Sequence, residues 1–225
     1  MSAPGHVDQV LGLGAGDIGV AALRRPDGDL GQHLGDVIGR DRLHEQRGDG
    51  RDTVRYTGPR SGFTVTHTQS GFTVASATQA DDVDTLLNVE RLFFDDAKVA
   101  LDITGNAGQA YRLYQAAFDR TPDIGGLGYQ MNELDRGMDL TWVAGNFLAS
   151  PEFQAKYGAL SNSQFVNALY ANVLHRSADA DGLIYHVKNL DAGLPRNWLL
   201  VQFSESLENQ ANVIGTIENG MAYVL

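Results

Sequence analysis

The chain has no cysteine. Disulfides, thiolate metal sites and cysteine nucleophiles are therefore excluded together. It also has no apolar run near the ~18 residues that a membrane-spanning helix needs. Positive charge is scarce: 17 Lys and Arg stand against 28 Asp and Glu, for a net charge of −11. Nucleic acids and anionic membranes both call for clustered Lys and Arg, so neither is an expected partner. The first 50 residues contain no Phe, Tyr or Trp and are rich in Gly, Asp and Arg. A stretch with so little to bury is expected to be loosely ordered. The start, MSAPGHVDQVLGLGAGDIG, lacks a basic segment ahead of an apolar block, so no cleaved secretory signal is expected.

A repeat dominates what is present. Residues 113–155 align without a gap on 169–211 at an offset of 56, with sixteen of the 43 positions identical. The shared residues include Tyr114/Tyr170, Arg120/Arg176, Asp123/Asp179, Asp135/Asp191, Gly137/Gly193, Trp142/Trp198, Phe147/Phe203 and Glu152/Glu208. They are core and capping types with little reactive chemistry, and such duplication marks a scaffold more often than a catalytic centre.

Three segments follow different rules: 1–50, 51–104 and 105–225. In the second, Phe63 and Val65 alternate with Thr64 and Thr66, and Phe72 and Val74 with Thr73 and Ala75. Gly-Phe-Thr-Val occurs at 62–65 and again at 71–74, which predicts a β-hairpin turning through Thr68-Gln69-Ser70-Gly71. Short strands are expected to follow around Leu86–Phe94 and Val99–Leu101. In the third segment the apolar period becomes helical. Ala110, Leu113, Tyr114, Ala117 and Phe118 fall at i, i+3, i+4, i+7 and i+8, as do Val166, Leu169, Tyr170, Val173 and Leu174. Asp123 and Asp179 are placed to cap the next helices, which should end at Gly137 and Gly193. Repeats at about 109–158 and 165–214 thus each comprise three to four short helices. The expected class is α+β: a small antiparallel β segment followed by a mainly α-helical domain built from two tandem repeats.

Two stretches resemble known families. Asp52-Thr53-Val54-Arg55-Tyr56, the hairpin, and then Asp84 to Asp96 with Val99-Ala100-Leu101-Asp102 resemble the β-rich segment that follows the calcium-binding nonapeptides of RTX (hemolysin-type) secreted proteins. The helical repeat resembles the bacterial domain known as domain of unknown function 4214. Its pattern reads here as Tyr114, Asp119-Arg120-Thr121-Pro122-Asp123, Gly126-Leu127 and Tyr129, then Phe147-Leu148-Ala149-Ser150-Pro151-Glu152-Phe153. More remotely it is similar to the helical linker domains of phycobilisomes. Asp119 and His175 depart from the pattern, standing where Gly usually precedes the Arg; Gln130 and His186 replace an aromatic. The resemblance implies export through a type I channel, an extracellular or cell-surface location and a non-catalytic role. The partners compatible with it are a surface protein, a polysaccharide, or further copies of the chain. A second reading is an accessory or targeting module of a secreted hydrolase or lyase.

The candidate chemistry is sparse. Gly48-Asp49-Gly50-Arg51-Asp52-Thr53-Val54 keeps most of an RTX nonapeptide and Gly39-Arg40-Asp41-Arg42-Leu43 half of one, so Asp41, Asp49 and Asp52 are candidate calcium ligands. The two remnants lie 11 residues apart instead of nine, which would put a coil out of register. Ser177 to Ile184 imitates an EF-hand loop, but Lys188 stands where a bidentate Glu is required, and Asp179 reads better as a cap. Gly14-x-Gly16-x-x-Gly19 imitates a dinucleotide-binding turn without the alternating strands and helices that should follow. His44-Glu45-Gln46-Arg47-Gly48 opens like a zincin helix but lacks its second His. Trp142, Trp198, Tyr129 and Tyr185 read as duplicated core aromatics, with a carbohydrate-stacking shelf as the alternative. Arg120 and Arg176 are expected to bind the last carbonyls of the preceding helix or to pair with Asp123 and Asp179.

Overall fold

The computed structural model describes residues 37–38, 44–46, 50–78, 82–158 and 160–225. Two sheets form from strands β1 (Val37–Ile38), β2 (His44–Gln46), β3 (Thr53–Arg55), β4 (Phe63–Thr68), β5 (Gly71–Ser76), β6 (Val83–Leu87), β7 (Arg91–Phe93), β8 (Lys98–Ala100) and β9 (Met221–Tyr223). The first sheet has the order β1-β3-β7-β8-β9 and the second β2-β6-β5-β4. β4, β5 and β6 form an antiparallel meander. The hairpin has the expected form: Thr68 faces Gly71 across a two-residue loop, and Val65, Phe72 and Val74 turn inward. Gly71 has φ +145°, and a Cβ there would strike the carbonyl oxygen of Leu86, so the residue serves both turn and close approach.

Parallel pairing was not expected from the sequence. β1 pairs in parallel with β3 (Val37 with Val54), β3 with β7 (Thr53 with Arg91), and β2 with β6 (His44 with Thr85). The chain thus visits the first sheet, then the second, then the first again, and each visit lies beside the last in the same direction. Parallel neighbours need a crossover between them, and here the strand of the opposite sheet supplies it. The β4–β5 hairpin is an excursion from this coil. Paired strands before residue 50 also move the start of the β region ahead of residue 51.

Helices α1 (Asn106–Phe118), α2 (Ile124–Asp135), α3 (Leu140–Ala149) and α4 (Pro151–Tyr157) make the first repeat. Helices α5 (Asn162–Val173), α6 (Ala180–Asp191), α7 (Arg196–Ser204) and α8 (Leu207–Ile217) make the second. The α+β class holds. The caps lie where side-chain chemistry puts them: Asp123, Asp139, Ser150, Ser161, Asp179 and Ser206 each accept a backbone N–H of the first helical turn. Gly137 and Gly193 close α2 and α6 with φ of +90° and +99°. The likeness of the repeats extends back to their first residues. Asn106 donates to Asp135 at 2.9 Å, and Asn162 donates to Asp191 at 2.7 Å.

The two repeats face each other. α1 packs on α5 and α3 on α7, and Asn197 Nδ2 donates to the carbonyl of Thr141 at 3.0 Å. Thr141 and Asn197 are equivalent positions, 56 apart, so the third helices of the two repeats meet through their matching first turns. The division at residue 104 does not separate two cores. One apolar cluster runs from Val54 and Leu92 through Leu113, Phe147, Phe165 and Leu199 to Tyr223. β9, beyond the last helix, returns to pair with β8.

Candidate functional site

The shared polar residues of the repeats assemble into two copies of one clamp. The helix preceding each clamp ends in a left-handed residue, Asp119 or His175, both with φ 54°. That turn swings the next residue, Arg120 or Arg176, back across the helix, with its guanidinium carbon 4.9 Å from the ring centre of Tyr114 or Tyr170. Arg120 then grips Glu152 with two bonds of 2.8 and 3.1 Å, and Arg176 grips Glu208 at 2.6 and 2.9 Å. These glutamates sit in the first turns of α4 and α8. Asp123 and Asp179 lie 3.8 Å from their arginines and spend a carboxylate oxygen on the N–H of Gly126 or Gly182, at 2.7 and 2.8 Å. In the first copy Tyr114 Oη also donates to Asp123 at 3.0 Å and accepts from Arg120 at 2.7 Å.

The arginines keep the expected pairing with Asp123 and Asp179, but it is the looser contact of each. Their main partners are the glutamates 32 residues on, because a planar guanidinium matches a carboxylate with two parallel bonds. The preceding helix's carbonyl at Phe118 is instead taken by Lys156 Nζ at 3.0 Å. The Gly126 N–H holds the Asp123 carboxyl below the usual range, and the Gly182 N–H does the same for Asp179. Arg120 and Arg176 lower Glu152 and Glu208 likewise. Every charge here is engaged by another part of the clamp. The arrangement locks helix ends together and presents no nucleophile or free acid–base pair.

The aromatic expectation is overturned for four residues. Trp142 is 45% exposed and Trp198 42%, while Tyr129 and Tyr185 reach 58% and 64%. The buried stripe of α3 is Val143, Ala144 and Phe147, and that of α7 is Leu199, Leu200 and Phe203. Each tryptophan precedes its stripe by one residue, a rotation of about 100° about the helix axis, which carries it out of the core. Tyr114 and Tyr170 are buried as expected, packed edge-on against Phe147 and Phe203 at 5.4 and 5.0 Å.

The candidate calcium ligands divide. Asp41 and Asp49 lie outside the described residues, as do Gly14, Gly16 and Gly19. Asp52 enters β3, where its carbonyl accepts from the N–H groups of Glu90 and Arg91 at 3.1 and 3.0 Å. Among the described residues no group of three or more Asp, Glu or His side chains is arranged to hold a metal ion. His44–Gln46 is a strand, so the zincin-like helix does not form there. In the EF-hand imitation Asp179 caps α6.

Sequence reasoning missed a buried network beside Asp52. Arg91 is buried and reaches Asp102, Asp135 at 3.0 Å and the carbonyl of Glu90 at 2.8 Å. Arg51 also binds Asp135, at 2.6 Å, and the N–H of Asp52 donates to Glu90 at 2.7 Å. Burial works against the charge on Arg91, but the carboxylates of Asp102 and Asp135 outweigh it and its proton is held more tightly. Burial raises the Glu90 carboxyl, helped by the nearby charges of Asp52 and Asp102. The network joins β7, the loop into α1 and the end of α2 beneath an open cleft of about 580 Å³. Asp135, a repeat-shared residue, was the one sequence signal for it.

Residues 144–213 match the family model described as Domain of unknown function (DUF4214). The matched stretch begins inside α3 and ends inside α8, so it spans the join between the two repeats. No curated protein and no solved structure matches the chain.

Proposed function

We propose that this chain is a non-enzymatic interaction protein of the secreted RTX class, whose helical repeats present a binding surface outside the cell. The observation that carries this reading is the β coil. Strands that alternate between two sheets and stack in parallel, as β1, β3 and β7 do opposite β2 and β6, are the backbone pattern of a calcium-repeat coil. The nonapeptide remnants at Gly39–Leu43 and Gly48–Val54 lie along the same stretch. The helical half supports the reading through its character as a scaffold, with charges spent on clamps, and through its likeness to a domain of unknown function. The remoter likeness to phycobilisome linkers belongs to the same idea of helices that hold other molecules.

On this reading Asp41, Asp49 and Asp52 bind Ca²⁺, and the bound ion orders the strands next to them in sequence. Hydrogen exchange with Ca²⁺ and with chelator tests it. Calcium at about 100 times its dissociation constant adds about 2.7 kcal/mol to the unit that it orders. Protection should rise at Val37–Ile38, His44–Gln46 and Thr53–Arg55 and stay constant in the helices. No change at these strands would remove calcium, and with it the RTX assignment.

A further inference from the structure

The exposed tryptophans have company. Four residues beyond Trp142 stands Asn146, and four beyond Trp198 stands Gln202; all four are exposed. Residues at i and i+4 share a helix face, so each indole lies beside a carboxamide, and the pair occurs twice. α3 and α7 both pack on α1 and against each other, so the sides they turn away from it form one surface. The spacing is bounded by the Asn197–Thr141 bond of 3.0 Å. Each tryptophan is the next residue in the chain, with its α-carbon about 3.8 Å further on. The two indoles therefore stand within the span of a few sugar rings of each other.

We propose that this outer face of α3 and α7 binds a neutral polysaccharide, with the indoles of Trp142 and Trp198 stacked on sugar rings and the amides of Asn146 and Gln202 bonding to ring hydroxyls. The chemistry selects this partner. An indole offers a flat apolar face to the C–H side of a sugar, and a carboxamide both donates and accepts, as a hydroxyl requires. The paired side chains carry no charge, and a net charge of −11 disfavours a polyanion. A sugar ring stacks from either side, so the repeated pair does not demand a symmetric ligand. A repeating polymer engages both pairs at once, and the second contact benefits from the high effective concentration set by the first. The inference takes the interaction-protein reading as its premise and names the partner. Calcium response and polysaccharide binding are separate measurements, so either can fail alone.

Trp142 and Trp198 are the chain's two tryptophans, so selectively excited tryptophan fluorescence reports on this face. The full chain is run through native gels containing dextran, mixed-linkage β-glucan, galactomannan or alginate, and its emission is titrated with the same polymers. At least one neutral polymer should retard the protein and shift its emission. Trp142→Ala/Trp198→Ala should abolish retardation, and Asn146→Ala/Gln202→Ala should weaken it about tenfold, the equivalent of 1.4 kcal/mol, with thermal midpoints confirming that the variants fold. Retardation by none of the neutral polymers, retardation by alginate alone, or retardation that survives the double tryptophan variant would overturn the proposal. So would self-association in sedimentation that the same variant removes without any polymer binding, which would assign the face to a second copy of the chain.

Discussion

Asp119 and His175 hold the same left-handed backbone, φ 54°, at equivalent points of the two repeats. The position needs a conformation that side chains resist and glycine adopts freely. Asp and His tolerate it better than most residues, which is how both copies hold it without glycine. His175→Gly should therefore stabilise the fold, by up to about 1 kcal/mol after allowing for glycine's freer unfolded chain. Thermal and urea midpoints measure the gain. A loss would mean that the imidazole makes a contact worth more than the relief.

The clamps predict a shared sensitivity to salt. Arg120→Ala leaves Glu152 without its two-pronged partner and should cost about 0.5–1 kcal/mol, since the pair is largely exposed. Arg176→Ala should act in the same direction in the second copy. Both differences should shrink in 1 M NaCl, where charges in water are screened within about 3 Å. A cost unchanged by salt would assign the role to packing of the guanidinium on the tyrosine.

Trp198 and Phe203 make a contrast within one helix. Phe203 is buried and touches Tyr170, while Trp198 is exposed. Phe203→Ala should cost about 3–5 kcal/mol, and Trp198→Ala less than about 1 kcal/mol. Urea denaturation of the two variants distinguishes them. Equal costs would return Trp198 to the core.

Much of this fold is written in local patterns. The hairpin was legible because alternation and a Gly-bearing turn act over a dozen residues, and the helices because apolar spacing, an Asp or Ser cap and a closing Gly agree with one another. The coil was not legible, because β3 and β7 contribute three residues each and their pairing, Thr53 with Arg91, lies far apart in sequence. The tryptophans misled for a simple reason. They sit beside residues with core spacing, and one step along a helix turns a side chain from the inside to the outside. The Arg91 network was hidden because its members come from β7, the loop into α1 and α2, and nothing in the spacing of Arg91, Asp102 and Asp135 connects them.

Gly128 lies under the end of the chain: a Cβ there would strike the carbonyl oxygen of Val224, and Val224 N–H donates to Ile124 at 3.0 Å. Gly128→Ala should lift residues 221–224 from α2 and cost about 1–3 kcal/mol, in spite of alanine's better helix propensity. Hydrogen exchange at Tyr223 and Val224 should rise first. Unchanged exchange together with a higher thermal midpoint would show that propensity wins.

Glu90 gives a pH dependence of definite sign. Burial raises its carboxyl in the folded chain, so the folded state holds this proton more tightly than the unfolded one. The group's contribution to stability is full below the unfolded value of about 4.3 and is lost as pH rises through the folded value. Glu90→Gln keeps an acceptor for the Asp52 N–H and removes the charge. It should stabilise neutral solutions by about 1 kcal/mol or less, discounted for partial exposure, and the gain should vanish below about pH 4. Stability curves across pH 3–8 measure this. A variant destabilised at pH 7 would show that the Glu90 charge is needed by Arg91.

The pairing of β9 with β8 has a consequence in time. Val99 waits for Ala222, more than a hundred residues later, before its sheet is complete. The β8 edge therefore stays open while both helical repeats are made, and an open edge invites wrong partners. The helical repeats can form early from local contacts, but this sheet closes only when β9 arrives. Its folding is tied to the synthesis of β9, and a molecule released short of Met221 would carry the open edge permanently.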